Sequence, residues 1–226
     1  MEGPSDAWAP LASPRDPVFG DPMTVRAGAF VDVVDRLVAV DLESSGLHRS
    51  SYPIELGWAL VVEPENERSV LISPDPGWSV GDWDAEAQVV HGIDRARLVA
   101  DGKPAHEAVA EFEASLPEGA ILVSDAPSYD EDWIRKLYAA AGRTAMPFIQ
   151  LVNAVGVGLL QDRVPAIANE RSVFAYERIE NVVDFQHPPT HRAGRDAGNL
   201  ARVLHRCATG PVDELVRLGR YPGEDE

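Results

Sequence analysis

Four carboxylates and one imidazole stand apart in this chain: Asp41 and Glu43 two residues apart, Asp130 in mid-chain, and His191 with Asp196 five residues beyond it. A folding core has no use for acids at such places, because an ionised carboxylate taken out of water is costly unless paired or coordinated. If these groups converge, the chemistry they point to is that of a bound metal.

Each acid also has an ordinary explanation. Asp41 and Glu43 follow the apolar run Leu37-Val38-Ala39-Val40, the mark of a central strand covered on both faces. Side chains alternate along a strand, so the two carboxylates point the same way, roughly 7 Å apart at the backbone, with Leu42 opposite. A polar strand end meeting solvent at Glu43-Ser44-Ser45-Gly46 would explain the pair without function, but the run before it makes the pair emerge from mid-sheet.

Asp130, Glu131 and Asp132 could simply occupy a first helical turn, with Ser128 and Glu131 as a capping box and the helix dipole favouring all three acids. Helical phase separates them. Trp133, Ile134, Leu137, Tyr138 and Ala141 lie within about 80° of Asp130, Asp132 falls on the far side, and Glu131 is marginal. Asp130 therefore follows the buried stripe. The same test places Asp196 with Ala197, Leu200, Val203, Leu204 and Cys207, and puts Arg195, Asn199, Arg202 and Arg206 on a separate, outward stripe. An inward Asp196 needs a partner, and Arg192 or Arg195 is the ordinary candidate. His191 precedes it across Gly194, near enough to share one cleft.

The elements that must position these groups read as strands at 37–40, 54–62 and 69–73, a helix at 104–116, a strand at 120–123, a helix at 130–141 and a strand at 148–152. Helices around 165–175 and 196–207 and a last turn at 213–218 follow. Strands first and helix–strand alternation afterwards imply an α/β layered domain with a mixed sheet. With 226 residues and 45% hydrophobic content the chain can bury one sizeable core.

Residues 1 to about 30 carry Pro4, Pro10, Pro14, Pro17 and Pro22 without a sustained period, and Met23 is a candidate true start. No run approaches the ~18 apolar residues of a membrane span, and no basic-then-apolar leader opens the chain, so a cytoplasmic protein without membrane partners is expected. The single cysteine, Cys207, reads as a buried structural thiol. A formal charge of −17 argues against non-specific coating of long nucleic acid, whose energy comes from neutralising phosphates. Any polyanion must find a local basic patch, and lysine is confined to Lys103 and Lys136.

Asp41-Leu-Glu-Ser-Ser-Gly46, Pro53-Ile-Glu-Leu-Gly57, His91-Gly-Ile93, Tyr129-Asp130 and His191-Arg-Ala-Gly-Arg-Asp-Ala197 resemble, in order and spacing, the landmarks of the DnaQ-like DEDDh exonucleases. The resemblance covers roughly residues 36 to 207, and its last element is the most specific. It implies an RNase H-like fold, a mixed central sheet of about five strands flanked by helices. It also implies 3′-to-5′ hydrolysis of DNA or RNA with two divalent ions held by Asp41, Glu43, Asp130 and Asp196, and His191 as general base.

Those residue types suit that chemistry. Oxygen ligation favours Mg²⁺ or Mn²⁺, two ions about 4 Å apart can serve an in-line phosphoryl displacement, and an imidazole titrating near neutrality can take a proton from water. By position, Ser44, Ser45, Gly46, Leu47 and His91 are the expected contacts of the terminal nucleotide.

The chain departs from the family pattern in two places. Ser124-Asp125-Ala126-Pro127-Ser128-Tyr129-Asp130 is one residue longer than the usual element, leaving Asp125 as a candidate fourth carboxylate, and Asn153 stands where many members have Asp.

The expected organisation is a flexible extension over 1–35, the exonuclease domain over 36–210, and a C-terminal turn with an acidic tail over 211–226. The expected partner is a single-stranded DNA or RNA 3′ end or a short oligonucleotide, and a homodimer is left open. A catalytically idle module binding nucleic acid ends or a protein, and a phosphodiesterase of very short oligonucleotides, are the alternatives.

Overall fold

A computed structural model describes residues 30–144, 147–221 and 223–224. The expectations for residues 1–29, Met23 among them, and for residues 222, 225 and 226 of the tail lie outside the described residues.

The apolar run becomes β1 (Leu37–Ser44), the middle of a five-stranded sheet with β2 (Pro53–Leu60), β3 (Arg68–Leu71), β4 (Ile121–Ser124) and β5 (Ile149–Leu151). The strand order is β3-β2-β1-β4-β5. β1 runs antiparallel to β2 and parallel to β4, and β5 runs parallel to β4, so the sheet is mixed as expected. The helices are α1 (Ala85–His91), α2 (Arg95–Asp101), α3 (Ala105–Ala114), α4 (Pro127–Ala140), α5 (Val152–Arg163), α6 (Glu170–Gln186), α7 (Ala193–Thr209) and α8 (Val212–Leu218).

The pleat of β1 divides the core. Leu37 and Ala39 join Ala59, Ile121 and Val123 beneath side chains of α5, α6 and α7, among them Val155, Ile179 and Leu204. Val38, Val40 and Leu42 join Leu56, Trp58 and Leu122 beneath α3 and α4, through Phe112, Ile134 and Leu137. Asp41 and Glu43 continue the odd-numbered register, so they point toward the α7 side. Gly57 stands opposite Asp41 in the ladder. A Cβ there would lie 2.0 Å from the Ala193 carbonyl carbon and 2.2 Å from the Gly194 nitrogen, so the first turn of α7 rests on bare β2 backbone. That close approach brings the start of α7 over the acids of β1.

Several elements differ from the sequence expectation. A 3₁₀ helix at Phe30–Arg36 spans the boundary drawn at residue 35, and the Phe30 ring packs where a side chain at Gly158 would stand. The strand expected through 152 ends at Leu151, and α5 begins at once, without a side-chain cap. Gly156 and Gly158 lower the helix propensity of α5 but admit the rings of Tyr176 and Phe30. The helix expected at 165–175 is a 3₁₀ turn, Pro165–Ile167, followed by the much longer α6. α1 and α2 were not expected; their signals are the caps Asp84, which accepts from the Glu86 N–H at 2.8 Å, and Asp94, which accepts from the Arg97 N–H at 2.7 Å. Cys207 is fully buried, as expected, and burial pushes its thiol up to about 12. Among the described residues no helix is long and apolar enough to cross a membrane.

Candidate active site

The remote acids meet at the C-terminal end of β1. Ligand atoms of Glu43, His191 and Asp196 all lie within 4.8 Å of one another, and those of Asp41, Asp125 and Asp130 form a second such group. Asp41, Glu43, Asp125, His191 and Asp196 line one cleft of about 370 Å³, while Asp130 is buried, with 1% of its surface exposed.

Asp130 is held from β4. Pro127 opens α4, and Ala126 before it offers no side-chain cap. Ser124 replaces that cap: its Oγ accepts from the Ala126 N–H at 3.0 Å and donates to Asp130 Oδ2. The capping-box reading is therefore overturned, since Ser128 lies within the helix and Glu131 instead accepts from the Ile149 N–H at 3.4 Å. Asp132 is exposed and paired with Arg135, as its phase required.

Asp196 grips the loop that carries His191. Its Oδ1 accepts from the Thr190 N–H at 3.0 Å and its Oδ2 from the Arg192 N–H at 3.3 Å, so backbone donors on both sides of His191 converge on one carboxylate. His191 itself has φ 53°, a left-handed backbone that turns its ring toward Glu43 and Asp196. The Arg192 guanidinium does not pair with Asp196. It donates to both oxygens of the buried Glu55, which also accepts from Ser69 Oγ and the Ala193 N–H. Among the described residues no Arg or Lys forms an ion pair with Asp41, Glu43, Asp130 or Asp196.

The electrostatics record how incomplete the compensation is. Burial, followed by repulsion from Asp130, Glu43, Asp125 and Asp196, holds the Asp41 carboxyl well above the usual carboxylate range. Burial and then Glu55 and Asp196 push Glu43 up to about 7 against the nearby Arg192 charge, and burial pushes Asp130 up to about 7 against the Ser124 hydrogen bond. Carboxylates gathered at mutual cost, with an imidazole at their edge and no ion pair to a guanidinium among the described residues, suit a hard divalent cation. The donor set fits the metal that the sequence implied.

Other expected contacts are placed differently. Ser45 is wholly buried, donating to Asp82 O at 2.9 Å and accepting from the Tyr52 N–H at 3.0 Å, and Ser44 donates to Gly46 O at 2.6 Å. Both hydroxyls shape the β1–β2 loop, which Lys136 of α4 also pins by donating to Arg49 O at 2.6 Å. Gly46 is buried and Leu47 is exposed on that loop. His91 is buried against Trp83, its Nδ1 accepting from the Ile93 N–H at 3.0 Å while Nε2 has no hydrogen-bond partner, and burial lowers its pKa. The outward stripe on α7 is corrected too. Arg202 is largely buried between Glu65 and Glu67, and Asn199 donates to His187 O at 2.8 Å. Asp125, Glu180 and Asp184 line the cleft beyond the expected set; the extra residue before Ala126 was the only hint of the first, and no sequence signal marked the other two.

No protein-family model matches the chain, and no curated protein sequence matches it. Solved structures do. An exonuclease I structure superposes with a TM-score of 0.52 at 14% identity, covering 81% of this chain and 42% of that one. The zinc-bound E. coli exonuclease I complex with single-stranded DNA gives 0.50 at 11% identity, over 73% and 38%. Cell-death related nuclease 4 gives 0.51 at 11% identity, over 76% and 63%. The fold is RNase H-like. It is the α/β fold of these exonucleases, and at such identities the likeness is one of fold. The chain spans about two fifths of the length of the exonuclease I chains.

Proposed function

We propose that the protein is a divalent-metal-dependent exonuclease that hydrolyses phosphodiester bonds from the 3′ end of DNA or RNA. The observation that carries this reading is the meeting of Glu43, His191 and Asp196 within 4.8 Å, beside Asp41, Asp125 and Asp130, while the neighbouring Arg192 guanidinium is taken up by Glu55. The fold shared with exonuclease I, solved in complex with single-stranded DNA, supports a nucleic acid substrate.

Asp41, Glu43, Asp130 and Asp196 would hold two ions, Mg²⁺ or Mn²⁺. Bound there, the ions supply positive charge that stabilises the attacking and leaving oxygens. His191 takes a proton from the attacking water at an imidazole nitrogen. Asp196 steadies that imidazole through the backbone on either side of it, and Glu55 steadies the same loop through Arg192. Leu47, exposed on the β1–β2 loop, offers an apolar surface to the terminal base.

A 5′-labelled single strand incubated with Mn²⁺ tests the reading. A ladder shortening from the 3′ end, absent in Asp41→Asn and Asp196→Asn, is expected. Intact strands of both DNA and RNA under either metal would end the proposal.

A further inference from the structure

Past Asp125 the acidic cleft adjoins a second cavity of about 460 Å³; Asp125 and Glu180 line both. Its other walls include Leu151, Val157, Val173 and Tyr176, with Asn153 and Glu177 as further polar groups. The size is that of a small-molecule site, and a mostly apolar wall with an amide able to donate and accept suits a flat, polar-edged ring system. Asn153 is exposed at the start of α5, so its amide is free to turn toward such a ring.

Charge decides what can be attached to that ring. Neither cavity lining includes a lysine or an arginine. Two divalent ions would balance the four proposed ligands, with Asp125 beside them, and leave Glu177, Glu180 and Asp184 uncompensated along the cleft and the second cavity. Each further nucleotide would bring another phosphate beside these carboxylates, and such like-charge proximity in a partly enclosed cleft opposes binding. A strand-binding groove is ordinarily lined with cations.

Building on the exonuclease reading, we propose that this second cavity is the subsite for the nucleoside that departs with its 3′ oxygen, and that the preferred substrate is a dinucleoside monophosphate with a free 5′-hydroxyl. Water oxygen bonds to phosphorus as the P–O3′ bond breaks. One water proton passes by way of His191, and the departing 3′ oxygen ends protonated. The products are a nucleoside 5′-monophosphate and an uncharged nucleoside, which the acidic rim does not retain.

The test compares four substrates with Mn²⁺: the p-nitrophenyl ester of thymidine 5′-monophosphate, which has no second nucleoside, a dinucleoside monophosphate, its 5′-phosphorylated form, and a longer single strand. The dinucleoside monophosphate should exceed the 5′-phosphorylated form and the strand in kcat/KM by about tenfold or more, a gap that narrows with salt. Glu177→Lys should narrow it as well. Val173→Trp, a change at an exposed position that narrows the cavity, should lower kcat/KM on the dinucleoside monophosphate by about tenfold relative to the ester. If the ester is hydrolysed but the strand is cut as well as the dinucleoside monophosphate, or Val173→Trp leaves that ratio unmoved, the subsite is wrong while the exonuclease reading stands. If none of the four substrates is hydrolysed, the exonuclease reading fails and the subsite with it.

Discussion

Glu55, with 1% of its surface exposed, takes the Arg192 guanidinium in a two-point clasp at 2.9 and 2.8 Å. It also faces Glu43 directly across the β1–β2 ladder, a like-charge opposition that is unfavourable without a cation at hand. The clasp therefore does two things: it neutralises Glu55 beside the acid cluster, and it anchors the loop that carries His191. Arg192→Met leaves Glu55 buried with only Ser69 Oγ and the Ala193 N–H as donors, and should cost roughly 3 kcal/mol in urea denaturation. A loss below ~0.5 kcal/mol would place the pair among ordinary surface ion pairs.

His191 combines a left-handed backbone with the only imidazole in the cleft lining. Glycine suits that backbone better than histidine does, so His191→Gly should fold with at least the parent's stability. Turnover should nevertheless fall by ~10²- to 10⁴-fold, the ordinary worth of a positioned base, while Mn²⁺ binding persists. Parent-like kcat with parent-like stability would remove His191 from the chemistry.

Gly57 has no room for a methyl group, because a Cβ would meet Ala193 and Gly194 backbone atoms at 2.0 to 2.2 Å. Gly57→Ala should push the first turn of α7 off β2, carrying Asp196 away from Glu43. About 1–3 kcal/mol of stability and most metal affinity should be lost together. Unchanged Mn²⁺ affinity in a folded Gly57→Ala protein would show that the close approach does not set the site.

The raised carboxyls give the metal-free protein a definite pH dependence. Glu43 moves from 4.5 to about 7 and Asp130 from 3.8 to about 7, so the folded chain holds protons there that the unfolded chain has released. Where the folded state binds more protons, unfolding free energy falls as pH rises, so Tm should drop between about pH 4 and about pH 7. Metal competes for the same oxygens. Mn²⁺ should raise Tm more at about pH 8 than at about pH 5. An equal Mn²⁺ effect at both values would separate metal binding from these groups.

Much of the site was legible because it depends on periodicity. Strand alternation set Asp41 and Glu43 on one face, and helical phase chose Asp130 over Asp132 and turned Asp196 inward; the two groups of ligand atoms contain all four between them. What stayed hidden depends on contacts between distant segments. Phase alone put Arg202 on the surface, since Glu65 and Glu67, which lie over that face of α7, belong to another part of the chain. Ser45 and His91 lie near the acids in the sequence pattern, but only the packing of Tyr52, Asp82 and Trp83 around them determines that both are buried. α5 was missed because Gly156 and Gly158 look like breakers until the rings of Tyr176 and Phe30 are seen beside them.

The most direct test is a calorimetric titration of the intact chain with Mn²⁺. Two ions should bind per chain, with both the stoichiometry and the affinity reduced in Asp41→Asn, whose carboxyl lies among all the other acids. No binding at millimolar Mn²⁺, or binding untouched by Asp41→Asn, would contradict a metal centre at the end of β1.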